Sequence, residues 1–408
     1  MTIKQSKVPN IGWMLFSREA LSRAETQLRD DVSGVRDEIG FLLVHGGYAN
    51  RFFPGTSVLH TRLRYALFIP WMYADLQRDA GKQDVARRVV EVETRLAGRL
   101  KNEAGTIGSR SYPNPTSQPP TFAYWTALQT WGLVKPRPDG SRRSKAEIHR
   151  ALARRGSLFR MQDDEGHSLE EVSDFFIRTP DPPDAWHRPH LPINFALSSA
   201  ERVFLRQQLL GVMKPGEGTP SYLSRLAENI SELDLDRADH AWSKSVSKYA
   251  DAEDQAALKR ARVAAALADV GRAIYAALVE ALREEDGLPT GKSHRDLLPE
   301  VLSRSAETAL SLPLFEVLTD LPNLPGYLKR VLEETADWLT DPRDVRTLRE
   351  VYAKAEENRK GRRSRLSRTF SGKERRAEWD GSQHTAASPL SYRWEKVCGL
   401  LRDLKGEP

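Results

Sequence analysis

Apolar positions recur at spacings of three and four along much of the chain. Val85, Val89, Val92, Leu96 and Leu100 form one such row, while Arg87, Arg88, Arg95 and Arg99 fall mainly on other faces. That is the pattern of an amphipathic helix with one stripe turned to a core. A second row, Val263, Leu267, Val270, Ile274, Leu278 and Leu282, predicts a helix of roughly eight turns. Trp394, Val397, Leu401 and Leu404 mark a third helical face near the end. Alternating β-branched runs are scarce, so the expected fold class is mainly α with little sheet.

Proline clusters break the pattern. Pro113, Pro115, Pro119 and Pro120 crowd one stretch, and five prolines fall between Pro180 and Pro192. Further breaks lie at 312–325 and at Asp341-Pro342, because proline ends helices and biases the residue before it to extended backbone. With 408 residues the chain exceeds one ordinary core. A multi-domain helical protein is expected: an N-terminal helical domain over 1–111, a winged-helix-like module with its linker over 112–192, a helical domain over 193–340, and a basic helical region over 341–408. No internal repeat is found.

A hydrophobic share of 39% with nine Trp and thirteen Phe can fill real cores. The single cysteine, Cys398, excludes an intrachain disulfide and a multi-cysteine metal site. The first residues read as no secretory leader, and the most apolar window, 65–74, is far short of the ~20 residues a bilayer demands. A cytoplasmic protein with no membrane partner is the expectation.

Charge is segregated. The net is +6, but residues 135–160 carry nine Lys/Arg against Asp139 and Glu147, and residues 354–376 carry ten against Glu356, Glu357 and Glu374. Eight carboxylates against Arg178 fill 163–184. Two concentrated basic segments point to a polyanionic partner.

Enzymatic motifs are weak by comparison. Gly287 and Gly291-Lys292-Ser293 resemble a phosphate-binding loop, but three residues separate the glycines where four are needed, and Glu284-Glu285-Asp286 precede them. An interhelical turn is expected there, and no cofactor. Nine histidines form no His-Glu-x-x-His pair; His187 and His190 could reach one metal, yet sit in a proline-rich linker beside Trp186. No metal is expected.

Three groups remain as nucleic-acid contacts. In the first, Phe122, Trp125, Leu128 and Trp131 keep helical spacing, and Gly132-Leu133-Val134 lead to Lys135, Arg137, Arg142, Arg143 and Lys145 around an Asp139-Gly140 turn. That order is similar to the recognition helix and wing of winged-helix DNA-binding domains. In the second, Thr56 or Ser57 is placed to cap a helix containing Leu59, Leu63 and Leu67, with His60 and Arg64 on one face and Arg62 nearby, a candidate phosphate cradle. An ordinary capped helix whose arginines pair with acidic neighbours has the same sequence. The third is the C-terminal run with Lys360, Arg362, Arg363, Arg365 and Arg368, whose guanidinium forks suit phosphate.

Residues 51–71, Tyr124-Trp125 with Trp131-Gly132, and the 360–404 tail with Ser391-Tyr392-Arg393-Trp394 together resemble an uncharacterised bacterial domain-of-unknown-function family. Ala66 departs from it, standing where a larger aromatic is usual. The resemblance implies work beside DNA, in phage-defence gene clusters with helicases and DNA methyltransferases. It implies no reaction. The expected function is therefore a non-catalytic, DNA-associated accessory subunit of a phage-defence or restriction-type complex with protein partners, its two basic segments converging into one strip. The alternatives are a metal-dependent nuclease built on Asp163, Asp164, Glu165 and Asp174, and a protein-binding adaptor whose acidic 163–184 segment covers a basic face.

Overall fold

The structure, a computed structural model, describes residues 37–78, 84–158, 175–291, 293–381 and 387–407. Asp163, Asp164, Glu165, Asp174 and Lys292 lie outside these residues. The protein is mainly helical, and among the described residues there are no strands, only isolated bridges pairing Val134 with Phe176 and Met213 with Pro220.

The described helices are α1 (Phe41–Phe52), α2 (Tyr65–Arg78), α3 (Val85–Arg99), α4 (Pro120–Thr130), α5 (Lys145–Leu158), α6 (Ser199–Leu210), α7 (Tyr222–Glu228) and α8 (Lys244–Ser247). They continue with α9 (Ala252–Glu285), α10 (Ser293–Ala309), α11 (Leu314–Thr319), α12 (Gly326–Thr340), α13 (Arg349–Lys360), α14 (Phe370–Ala377) and α15 (Trp394–Lys405).

The second apolar row lies inside α9, whose 34 residues make it about 51 Å long. Asp251 caps it by accepting the Asp254 N–H. The helix is buried on nearly all sides because alanines alternate with Val263, Leu267, Val270, Ile274 and Leu278, so neighbours approach closely. α10, α12 and α1 pack along it. Gly271 admits the Phe41 ring, since a Cβ there would stand 2.4 Å from Cζ. At its N-terminal end the fully buried Asp254 meets Arg51 at 3.2 Å and Lys214 at 3.4 Å, tying α1 and the 212–221 turn to the helix. A buried charge of this kind is tolerated only when paired.

The first and third rows become α3, capped by Asp84, and α15. Buried side chains from Ile39 to Leu404 form one hydrophobic cluster, continuous across 111/112, 192/193 and 340/341. The turn at Gly287 joins α9 to α10. The helix expected over 59–67 starts later, at Tyr65, so Ser57 caps nothing there; its Oγ accepts the Leu59 N–H in a local turn. Among the described residues no helix is long and apolar enough to cross a membrane.

Candidate nucleic-acid interface

The three predicted groups differ in what their charges already hold. In the second group, around Ser57, Arg64 is 6% exposed and donates to Glu201 at 2.7 Å and to the Asn194 carbonyl at 3.0 Å. Arg62 bonds Asp403, which also accepts the Leu63 N–H at 2.7 Å. His60 stacks on Tyr124 at 4.1 Å and donates through Nε2 to the Ala123 carbonyl; burial pushes its pKa down to about 3, so the ring is neutral. These side chains cross-link the core, each guanidinium already holding a carboxylate.

Around the Asp139-Gly140 turn, Arg137 and Arg143 both pair with Glu147, and Arg143 also lies over the Phe175 ring. Lys145 reaches Thr121 at 3.4 Å near the buried Glu93, and burial lowers its pKa. Lys135 and Arg142 remain exposed with no side-chain partner among the described residues. The preceding α4 buries Tyr124, Ala127 and Leu128, and Trp131 donates to the Pro54 carbonyl at 3.1 Å. Of the aromatic row, Leu128 and Trp131 belong to the core, Trp125 packs against it half-buried, and Phe122 is half-buried.

The C-terminal run is built differently. Glu356, fully buried on α13, accepts at one oxygen from the Ser364 hydroxyl and from the Arg365 and Leu366 N–H groups, all at 2.8–2.9 Å, and at the other from the Tyr275 hydroxyl at 2.8 Å. Arg365 turns inward onto Glu38 at 2.6 Å, and Lys360 pairs with the same carboxylate. Arg376, 2% exposed, holds Asp286 at 2.7 Å and the Ser367 carbonyl at 2.6 Å. Gly372 allows the two limbs to touch, for a Cβ there would stand 2.2 Å from the Ser367 carbonyl oxygen. Thr369 caps α14 by accepting the Gly372 N–H.

This frame holds a knuckle, residues 361–373, whose outer side carries Arg362, Arg363, Arg368 and Lys373, all exposed and without side-chain partners among the described residues. Phe370 stands among them at 77% exposure. Glu374 is the exposed carboxylate beside Lys373. Of the run's five predicted contacts, Arg362, Arg363 and Arg368 face outward, whereas Lys360 and Arg365 brace the frame. Phe370 and Lys373 escaped the sequence reading; an aromatic residue within the cluster of cations was the signal.

The knuckle is pinned to Glu38, just before α1, and the Asp139-Gly140 region follows Trp131, which is pinned just beyond the end of α1. The 12-residue α1 puts about 18 Å between these anchors.

His187 and His190 are both exposed. Among the described residues no group of three or more His, Cys, Asp or Glu is arranged to hold a metal ion.

The chain belongs to a family of unknown function, DUF6361, whose family model matches residues 8–305. The knuckle lies beyond the matched stretch. No curated protein and no solved structure matches the chain.

Proposed function

We propose that the protein is a non-catalytic, nucleic-acid-associated accessory subunit that grips a phosphate backbone with the knuckle. The observation carrying this reading is the set of four outward cations around Phe370 on a frame fixed by buried hydrogen bonds. Such a frame loses little conformational entropy when it binds. Arginine forks take phosphate oxygens in pairs, and an exposed phenyl ring stacks on an unpaired base, which favours single-stranded DNA over duplex.

Lys135 and Arg142 act as an auxiliary, wing-like phosphate contact, with α4 left in the core. A place in a bacterial phage-defence or restriction-type complex belongs to the same proposal, as the sequence resemblance implies.

Fluorescence anisotropy with labelled single-stranded DNA, duplex DNA and RNA tests it. The double variant Arg362→Glu with Arg363→Glu should weaken binding at least tenfold. Phe370→Ala should weaken single-stranded binding about fivefold or more, given ~1–3 kcal/mol per stacked base, and leave duplex binding unchanged. Equal affinity in all three proteins would refute it.

A further inference from the structure

A groove of about 850 Å³ runs between α3 and the proline-rich strap at 185–192. Its floor is one stripe of α3: Arg88, Val92, Arg95 and Arg99, spaced four, three and four apart. Arg78 and Lys101 add to it, and Asp75 is the carboxylate in the lining, a net of four positive charges. Asp75 is already engaged, accepting from the Trp186 indole N–H at 2.8 Å and from Arg78 at 3.3 Å. Arg95 and Arg99 stand four residues apart, like charges on one helix face.

Arg99 builds the opposite wall. Its guanidinium donates to the carbonyls of Leu191 at 3.0 Å, Trp186 at 3.1 Å, Ala185 at 2.5 Å and Arg188 at 3.3 Å, which shapes the strap around it. Its fork is thereby used up. Arg95 and Lys101 remain exposed, with no side-chain partner among the described residues. Tyr112 closes one end. Its ring lies against Gly98, where a Cβ would come within 2.5 Å of Cε2, and it is 46% exposed. Cations and an aromatic plate thus face one space.

We infer that this groove binds a free nucleoside polyphosphate, its phosphates on Arg95 and Lys101 and its base on Tyr112. The volume falls within the range of ~300–1,000 Å³ found for small-molecule sites. The site shares no residue with the knuckle, and neither proposal depends on the other.

Isothermal titration of the full chain with ATP, GTP and inorganic triphosphate tests it. The nucleoside triphosphates should bind, and inorganic triphosphate at least fivefold more weakly. Arg95→Glu with Lys101→Glu should lower nucleotide affinity at least tenfold while thermal stability holds, both residues being exposed. Gly98→Ala, which displaces the Tyr112 ring, and Tyr112→Ala should each weaken ATP but leave inorganic triphosphate unchanged. The Arg362→Glu, Arg363→Glu double variant should bind ATP as the parent does. The assignment fails if no nucleotide binds, if inorganic triphosphate binds as tightly as ATP, if the groove variants have no effect, or if the knuckle variant abolishes binding.

Discussion

Glu356 and Leu366 are joined through a buried hydrogen bond of 2.8 Å, the carboxylate accepting the backbone N–H ten residues further on. That bond and its neighbours at Ser364 and Arg365 hold the knuckle in one shape. Removing the carboxylate leaves two N–H groups and two hydroxyls without it. A buried unsatisfied donor costs ~1–3 kcal/mol, so Glu356→Ala should destabilise the fold by about 3–5 kcal/mol in urea unfolding. Glu356→Gln, which keeps one acceptor oxygen toward the turn, should lose about half as much. Equal, small losses in both would show that the turn stands without its pin.

Arg64 behaves as an internal brace. Its truncation strands the buried Glu201 carboxylate, 2.7 Å away. Breaking a buried pair from one side costs ~3–5 kcal/mol. Arg64→Ala should therefore lower the melting temperature sharply while the protein that remains folded binds DNA with unchanged salt dependence. A change in that dependence with normal stability would make Arg64 a phosphate contact after all.

Glu147 restrains the Asp139-Gly140 region by neutralising Arg137 and Arg143. Glu147→Gln frees both guanidinium groups. Affinity for any polyanion should rise several-fold at 50 mM salt, measured by anisotropy, and the salt dependence should steepen by about one charge, a slope change of ~0.7–0.9. No change would remove this segment from the interface.

His45 and His60 set an acid limit. Burial pushes both down to about 3, against 6.5 when unfolded. The unfolded chain therefore takes up protons between these values that the folded chain refuses. Stability contributed by the neutral rings is full above about pH 6.5 and falls as pH drops toward 3. Each ring should contribute ~1.36 kcal/mol per pH unit well below pH 6.5. His45→Phe should flatten the acid limb of stability against pH by that amount; an unaltered limb would show that His45 is not held neutral.

Much of the helical scaffold was legible because burial writes itself into spacing. The rows from Val85, Val263 and Trp394 became α3, part of α9 and α15. Charge was legible only as an amount. Glu38, Glu201 and Asp403, more than a hundred residues from the arginines they hold, consume Arg365, Arg64 and Arg62. No local count reveals partners brought in by packing. The start of α2 was misplaced because Leu59 and Leu63 also keep helical spacing, while the chain from 57 to 64 turns around the Tyr124 hydroxyl, which accepts the Thr61 and Arg62 N–H groups. The groove stripe of Arg88, Arg95 and Arg99 was legible as periodicity, but its meaning lay in the strap folded over it.

The proposed grip is a small, fixed set of exposed cations against a phosphate backbone. Affinity for a single-stranded 20-mer should therefore be measured from 50 to 200 mM salt. Four knuckle cations with Lys135 and Arg142, at about 0.7 counterions each, predict a logarithmic slope near −4, falling to about −2 when Arg362, Arg363 and Arg368 are all changed to Ala. Undetectable binding at 50 mM salt, or a slope that the triple variant leaves untouched, would contradict it.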